Sequence, residues 1–250
     1  MPGVLKDRAQ DQSTRHRTAN VRRLYYMTSE RWGTSNLVCK RLKYSRFDDL
    51  NDPFELLSAH LGERDARKFY RVLKTAVTKR FAVVCLSATW QSPVMWAHYA
   101  DKHKGLCLGF DVAGASEVLY ESKRLKHELD ESQSGVRNAA DLIKIAMTTK
   151  FKEWAYEKEW RGVCDLTHRQ PDAEGHYFQE FCEGFALREV IIGARCKLSP
   201  SEVAALVGAI DHEVIIKKAR PAFRRFEIVE QKLVEPVIIG KTSVRQARLS

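Results

Sequence analysis

The densest chemistry in the chain lies in Trp154-Ala-Tyr-Glu157-Lys-Glu159-Trp160-Arg161. Helix gives way to strand over this stretch, so Glu157 and Glu159 alternate onto the same side as Arg161. The aromatic residues 154, 156 and 160 would wall these carboxylates with low-polarity surface. A carboxylate so placed is suited to stabilise a developing cation, or to act as a base with a raised pKa. The plainer reading of the same residues is an exposed strand end carrying ion pairs.

A second concentration runs from Ser92 to Asp111. Ser92 is a good N-cap, and Pro93 suits the first helical position, where its missing N–H costs nothing. Trp96, Tyr99 and Ala100 share one helical face, Gly105 supplies a stop, and Leu106 to Phe110 is apolar enough for an interior strand. His98, Tyr99 and His103 crowd the join between helix and strand. A third group is Asn51-Asp-Pro-Phe-Glu55, where Pro53 keeps Asp52 out of the helical region and a turn gathers Asn51, Asp52 and Glu55. This turn is expected to fold against the join at His98–His103.

Several chemistries fail on spacing. His98 and His103 are five apart, turning them roughly 140° from each other on a helix, and no close Cys or His pair completes a site, so no metal is expected. Gly105-Leu-Cys-Leu-Gly109 is a strand rather than a phosphate loop, and there is no G-x-S-x-G elbow.

The elements that must position these groups follow from apolar spacing. Leu24 to Thr28 is a first strand, Ser29 to Cys39 a helical turn or two, and Lys43 to Glu55 a loop. Glu63 to Arg80 is a surface helix and Phe81 to Ser87 a strand buried on both sides. Ala115 to Gly135 is charged and irregular, and helical spacing resumes from Asn138 to Phe151. Strands are expected at Glu159–Cys164, Arg188–Gly193, Glu213–Lys217 and Arg225–Val229, with a capped helix opening at Ser199. This is the pattern of a single α+β domain over 21–240, a twisted, mostly antiparallel sheet with helices outside it. A disordered basic segment 1–20 precedes it and a flexible tail 241–250 follows.

The 250 residues are 44% hydrophobic, enough for one sizeable core. No apolar run nears the roughly 20 residues of a membrane helix, and the start lacks a signal peptide's apolar block. Six cysteines, at 39, 85, 107, 164, 182 and 196, form no close pairs, which suits a reduced cytoplasmic protein. The net charge of +10 favours acidic partners, nucleic acid foremost.

Leu24-Tyr-Tyr26, Asn51 to Glu55, Cys85-Leu-Ser87, Met95 to Ala100, His103-Lys-Gly105, Leu108-Gly-Phe110 and Glu157-x-Glu-x-Arg161, taken together, resemble the bacterial family called domain of unknown function 2971. The order of elements also resembles ADP-ribosyltransferases that modify nucleic acid. Their pattern has a His or Arg in a first strand, an aromatic residue in a middle segment and a Glu opening a late strand. That resemblance implies an ADP-ribosyltransferase-like fold with NAD as substrate and DNA or RNA as acceptor. It puts Tyr26 in the first-strand position, where this chain departs from His or Arg, with Thr28 just beyond. Tyr99 would stack on nicotinamide, with Ser87 nearby. Glu159 would be the catalytic carboxylate and Glu157 its alternate, while Arg46 or Arg161 would meet the pyrophosphate. Asn51, Asp52, Glu55, Trp96, His98 and His103 are further cleft candidates. A toxin or defence effector of this kind would have an antitoxin or immunity protein among its partners.

Two other classes stay open. Asp52, Glu55, Glu157 and Glu159 would hold Mg²⁺ in a metal-dependent nuclease, with Lys158 nearby. Alternatively, the aromatics at 96, 99, 154 and 160 would form a non-catalytic surface for nucleic acid or protein.

Overall fold

A computed structural model describes residues 20–125 and 139–240. The expected disordered start and flexible tail therefore lie, apart from residue 20, outside the described residues. Apolar runs rich in Val, Ile, Leu and Phe become the long strands, because such side chains pack well on a pleated surface. The chain lays down β1 (Arg22–Thr28), α1 (Glu30–Cys39), β2 (Arg41–Lys43), β3 (Ser45–Arg46), α2 (Arg64–Arg80), β4 (Phe81–Ser87), α3 (Pro93–Tyr99) and β5 (Leu106–Val112). Short strands β6 (Ser116–Glu117) and β7 (Leu119–Glu121) precede α4 (Ala139–Thr148), β8 (Thr149–Phe151) and a 3₁₀ helix at Lys152–Glu157. Then come β9 (Glu159–Asp165), β10 (Phe178–Glu180), β11 (Phe185–Ile192), α5 (Pro200–Val207), β12 (Val214–Pro221), β13 (Ile228–Glu230) and β14 (Val237–Ile239).

The main sheet runs β13-β12-β11-β5-β1-β4-β9-β6, with β14 on β12 and β3 on β4. Its pairs are antiparallel except β11 with β12. The molecule is thus α+β, with one curled, mostly antiparallel sheet and several helices. Leu24, Leu86, Leu108, Phe110, Leu187 and Val190 from its central strands form the largest core cluster, closed by Leu37 of α1 and Val203 of α5. Among the described residues, no helix is long and apolar enough to cross a membrane.

One break in this sheet positions the site. β1 pairs with β5 from Arg22↔Val112 to Thr28↔Leu106, and β4 pairs with β9 from Phe81↔Asp165 to Ser87↔Glu159. Between β1 and β4 the only register pair is Tyr25↔Ser87. The sheet therefore parts at its middle, and polar side chains enter the gap without disrupting a ladder.

The strand expected at Arg225–Val229 begins only at Ile228, and the stretch from Ala115 read as irregular carries β6 and β7; three further expectations need correction. α1 is a full ten-residue helix, capped by the Ser29 side chain, which accepts from the Trp32 N–H. The helical spacing read from Asn138 to Phe151 ends at Thr148, and β-branched Thr149 opens β8. Gly105 is needed for close approach rather than as a helix stop. α3 ends at Tyr99, and Asp101, Lys102 and His103 turn the chain with φ of 44°, 53° and 71°. A Cβ on Gly105 would then lie 2.0 Å from the Thr28 carbonyl oxygen.

Candidate functional site

A cavity of about 250 Å³ occupies the gap between β1 and β4. β1 contributes Tyr25, Tyr26 and Met27, β4 contributes Cys85 and Ser87, and β9 contributes Glu159 and Arg161. Asn51 and Glu55 reach it from the Pro53 turn, Tyr99 from α3, Lys150 from β8 and Glu157 from the 3₁₀ helix; Lys43 and Asp49 also line it.

Five buried charges form one network at this cavity. Arg161, 1% exposed, spends all five of its N–H donors. Nε reaches Glu159 Oε1 at 2.8 Å, Nη2 reaches Glu159 Oε2 at 3.1 Å and Glu55 Oε1 at 2.6 Å, and Nη1 reaches Glu55 Oε2 at 2.8 Å and the Met147 carbonyl at 2.7 Å. The Lys150 ammonium donates to Glu157 Oε2 at 2.6 Å and meets Glu159 Oε2 at 3.3 Å. Three carboxylates thus face two cations, leaving the ionised cluster one negative charge in excess. The backbone makes this possible. Lys158 adopts the left-handed region, φ 45°, so the chain reverses locally and brings Glu157 and Glu159 to the same ammonium. Ser87 Oγ fixes the reversal by donating to the Glu157 carbonyl at 2.7 Å, while the Glu159 N–H donates to Tyr120 Oη at 2.8 Å.

Burial and charge pull the carboxyls in opposite directions. Burial would raise Glu159, but Arg161 and then Lys150 outweigh it and hold it below its ordinary value of 4.5. For Glu55 burial wins over the Arg161 fork, and the nearby Glu159 charge adds to the rise. Lys150 is raised, because the Glu159 and Glu157 charges overcome its burial. Glu157 also accepts from the Tyr99 hydroxyl, and Asn51 Nδ2 donates to that hydroxyl at 2.5 Å. Burial, then the bond to Glu157, raises Tyr99. Burial pushes the Tyr26 phenol up to about 12, so it stays neutral.

Of the residues singled out in the sequence, Tyr26, Ser87, Tyr99, Glu157, Glu159, Arg161, Asn51 and Glu55 meet at this cavity. The others do not line it. Thr28 is buried at the end of β1. The Arg46 guanidinium donates to the carbonyls of Thr78 and Lys79, closing the C-terminal turn of α2. Asp52 folds back to accept from the Phe54 N–H at 2.9 Å. Trp96 is wholly buried, its indole N–H bound to the Trp90 carbonyl. His98 meets Tyr156 Oη at 3.2 Å, and the His103 ring stacks on Trp96. The Pro53 turn therefore reaches the α3 join through Asn51 and Tyr99.

Two expectations about the Glu157–Arg161 stretch are overturned. It is a buried network, where an exposed strand end is the plainer reading, and two of its three aromatic neighbours point elsewhere. Trp160 turns to the other side of β9 and receives the Arg22 guanidinium 4.2 Å from its ring centre, while Tyr156 pairs with His98. Of the three, Trp154 alone touches the cluster, with Lys150 Nζ 4.7 Å from its ring centre. Tyr25, Tyr26 and Tyr99 are among the cavity's lining residues instead, with Tyr25 and Tyr26, consecutive on β1, packed on opposite faces of the sheet. Arg161 has no donor left for a pyrophosphate, and Arg46 is committed to α2.

Sequence reading missed Lys150, Tyr120 and Cys85. Lys150 sat inside a stretch read as helix, where a lysine looks solvated. The available signal was the β-branched pair Thr148-Thr149, which ends the helix two residues before it.

No curated protein and no solved structure matches the chain. Residues 95–162, which hold Tyr99, Lys150, Glu157, Glu159 and Arg161, match the family described as Protein of unknown function (DUF2971), and over those residues the resemblance read from the motifs is borne out.

Proposed function

We propose that this cleft is the NAD site of an ADP-ribosyltransferase-like enzyme whose acceptor is DNA or RNA, serving as a toxin or defence effector. The observation that carries the reading is the charge excess: three carboxylates against two cations, at a cavity whose lining includes Tyr99. The nicotinamide of NAD is a cationic ring, and tyrosine faces attract such rings. Cleavage of its bond to ribose passes through a positively charged, oxocarbenium-like state, which a fixed buried carboxylate stabilises. The bonding pair leaves with nicotinamide, which becomes neutral. The acceptor nucleophile forms the new bond to the ribose carbon and releases its proton to a carboxylate.

The two glutamates divide this work. Glu159 takes two guanidinium bonds and lies 3.3 Å from the ammonium, so it anchors Arg161 and Lys150. Glu157 takes one ammonium and one phenol bond, which leaves it the less neutralised carboxylate. Glu157 is therefore assigned to the developing charge and Glu159 to positioning, with Asn51 and Tyr99 holding Glu157 in place. The cavity is slightly smaller than the roughly 300–1,000 Å³ of sites that enclose a whole ligand. It suits the nicotinamide-riboside end, and exposed Lys43 at the lining is the cation for the pyrophosphate.

The nuclease alternative has less support. Lys150 and Arg161 fill the space between the carboxylates, and among the described residues no three His, Cys, Asp or Glu are grouped to hold a metal ion. The aromatic-surface alternative loses Trp96 to the core. Incubating the protein with labelled NAD and mixed nucleic acid tests the proposal. Label should transfer to the acceptor, and protein that neither binds nor consumes NAD refutes it.

A further inference from the structure

A second cavity, about 290 Å³, lies between the chain following Pro53 and the β7–β8 pair. Lys150 lines both cavities, so the two are neighbours across one residue. We infer that this second cavity receives an unpaired nucleotide of a single-stranded nucleic acid, and so forms the acceptor subsite of the transferase proposed above, on which the word acceptor rests.

Two features point to that ligand. Phe54 and Phe151, both in the lining, are 50% and 42% exposed. Aromatic rings left open beside a cavity are platforms on which bases stack irrespective of sequence. Lys123 and Arg124 add two exposed cations against the carboxylate of Glu121, and the Arg124 guanidinium lies 5.1 Å from the Phe54 ring centre. Phosphates are met by such side chains. A space of this size admits a splayed-out base and excludes a duplex, whose bases are already stacked and paired.

The test is fluorescence polarisation with a fluorescein-labelled, mixed-sequence single strand of about 12 nucleotides, within the usual site sizes of strand-binding folds. The full-length protein is used, and NAD consumption is measured in parallel. Combining Phe54→Ala with Phe151→Ala should weaken strand binding about tenfold or more, and K123E with R124E should weaken it and flatten its salt dependence. Thr149→Val, which changes a hydroxyl closed off from the cavity, should leave strand binding unchanged. NAD affinity should stay unchanged in every variant. A wild-type protein that ignores the strand, that binds duplex equally well, or whose affinity survives both the aromatic and the charge-reversal changes overturns the inference. Strand binding that follows this pattern without NAD turnover supports the nucleotide site and defeats the transferase reading on its own.

Discussion

Two charge networks built from the same residue types stand on this one sheet. In the cleft, Glu55, Glu157 and Glu159 surround Lys150 and Arg161, all of them buried. Across β1, β5, β11 and β12, Arg23 meets Asp111 at 2.7 Å and Glu189 at 2.6 Å, Arg188 meets Asp111 at 2.9 Å, and Lys217 meets Glu189 at 3.0 Å. The second network is partly exposed, with the Arg23 side chain at 35%, and its three cations outnumber two carboxylates. Water and salt reach Arg23, Arg188 and Asp111, so the pairs of Asp111 contribute little. In the cleft all the charges are buried, and each depends on its neighbours. An excess negative charge therefore persists in the cleft as a fixed field, whereas the excess positive charge of the outer network is screened.

The largest effect should come from Arg161→Met. It strands the Glu55 and Glu159 carboxylates in a buried site, and urea denaturation should show a loss of about 3–5 kcal/mol. A loss below 1 kcal/mol would mean that water reaches the cluster.

Acid sensitivity separates the networks next. Glu159 is held below 4.5, so its contribution is complete above that value and disappears as pH falls through its lower folded value. Glu55 is raised and acts oppositely, since its protonation relieves a burial cost as pH drops. Glu159→Gln should therefore remove much of the decline in melting temperature seen below about pH 4.5. For Asp111, burial raises the carboxyl but Arg23 and Arg188 together hold it down, so Asp111→Asn acts in the same direction, reduced by solvent screening. Equal responses in the two variants would erase the distinction drawn between the networks. At neutral pH, Asp111→Asn should cost only about 0.2–1 kcal/mol in the same urea measurement.

Much of this arrangement is legible in the sequence, for identifiable reasons. Continuous apolar runs mark Phe81–Ser87 at its observed bounds and locate the start of β5 at Leu106. Strand alternation places Glu159 and Arg161 together. The parting of β1 from β4 leaves no trace in either strand, because both carry ordinary apolar patterns and only their pairing differs. Lys150 is hidden because its partners are set by the left-handed turn at Lys158, a conformation that a lysine's identity does not announce. Arg46 illustrates the converse: a cation that looks available from sequence closes the C-terminal turn of α2.

The central claim is that the uncompensated charge of the cleft does chemistry. The most direct measurement is the rate of nicotinamide release from NAD by the wild-type protein, Glu157→Gln and Asp111→Asn, with circular dichroism to compare their folds. The account predicts a roughly 10²–10³-fold loss for Glu157→Gln and an unchanged rate for Asp111→Asn, with all three proteins folded. A folded Glu157→Gln protein that releases nicotinamide at the wild-type rate would contradict it.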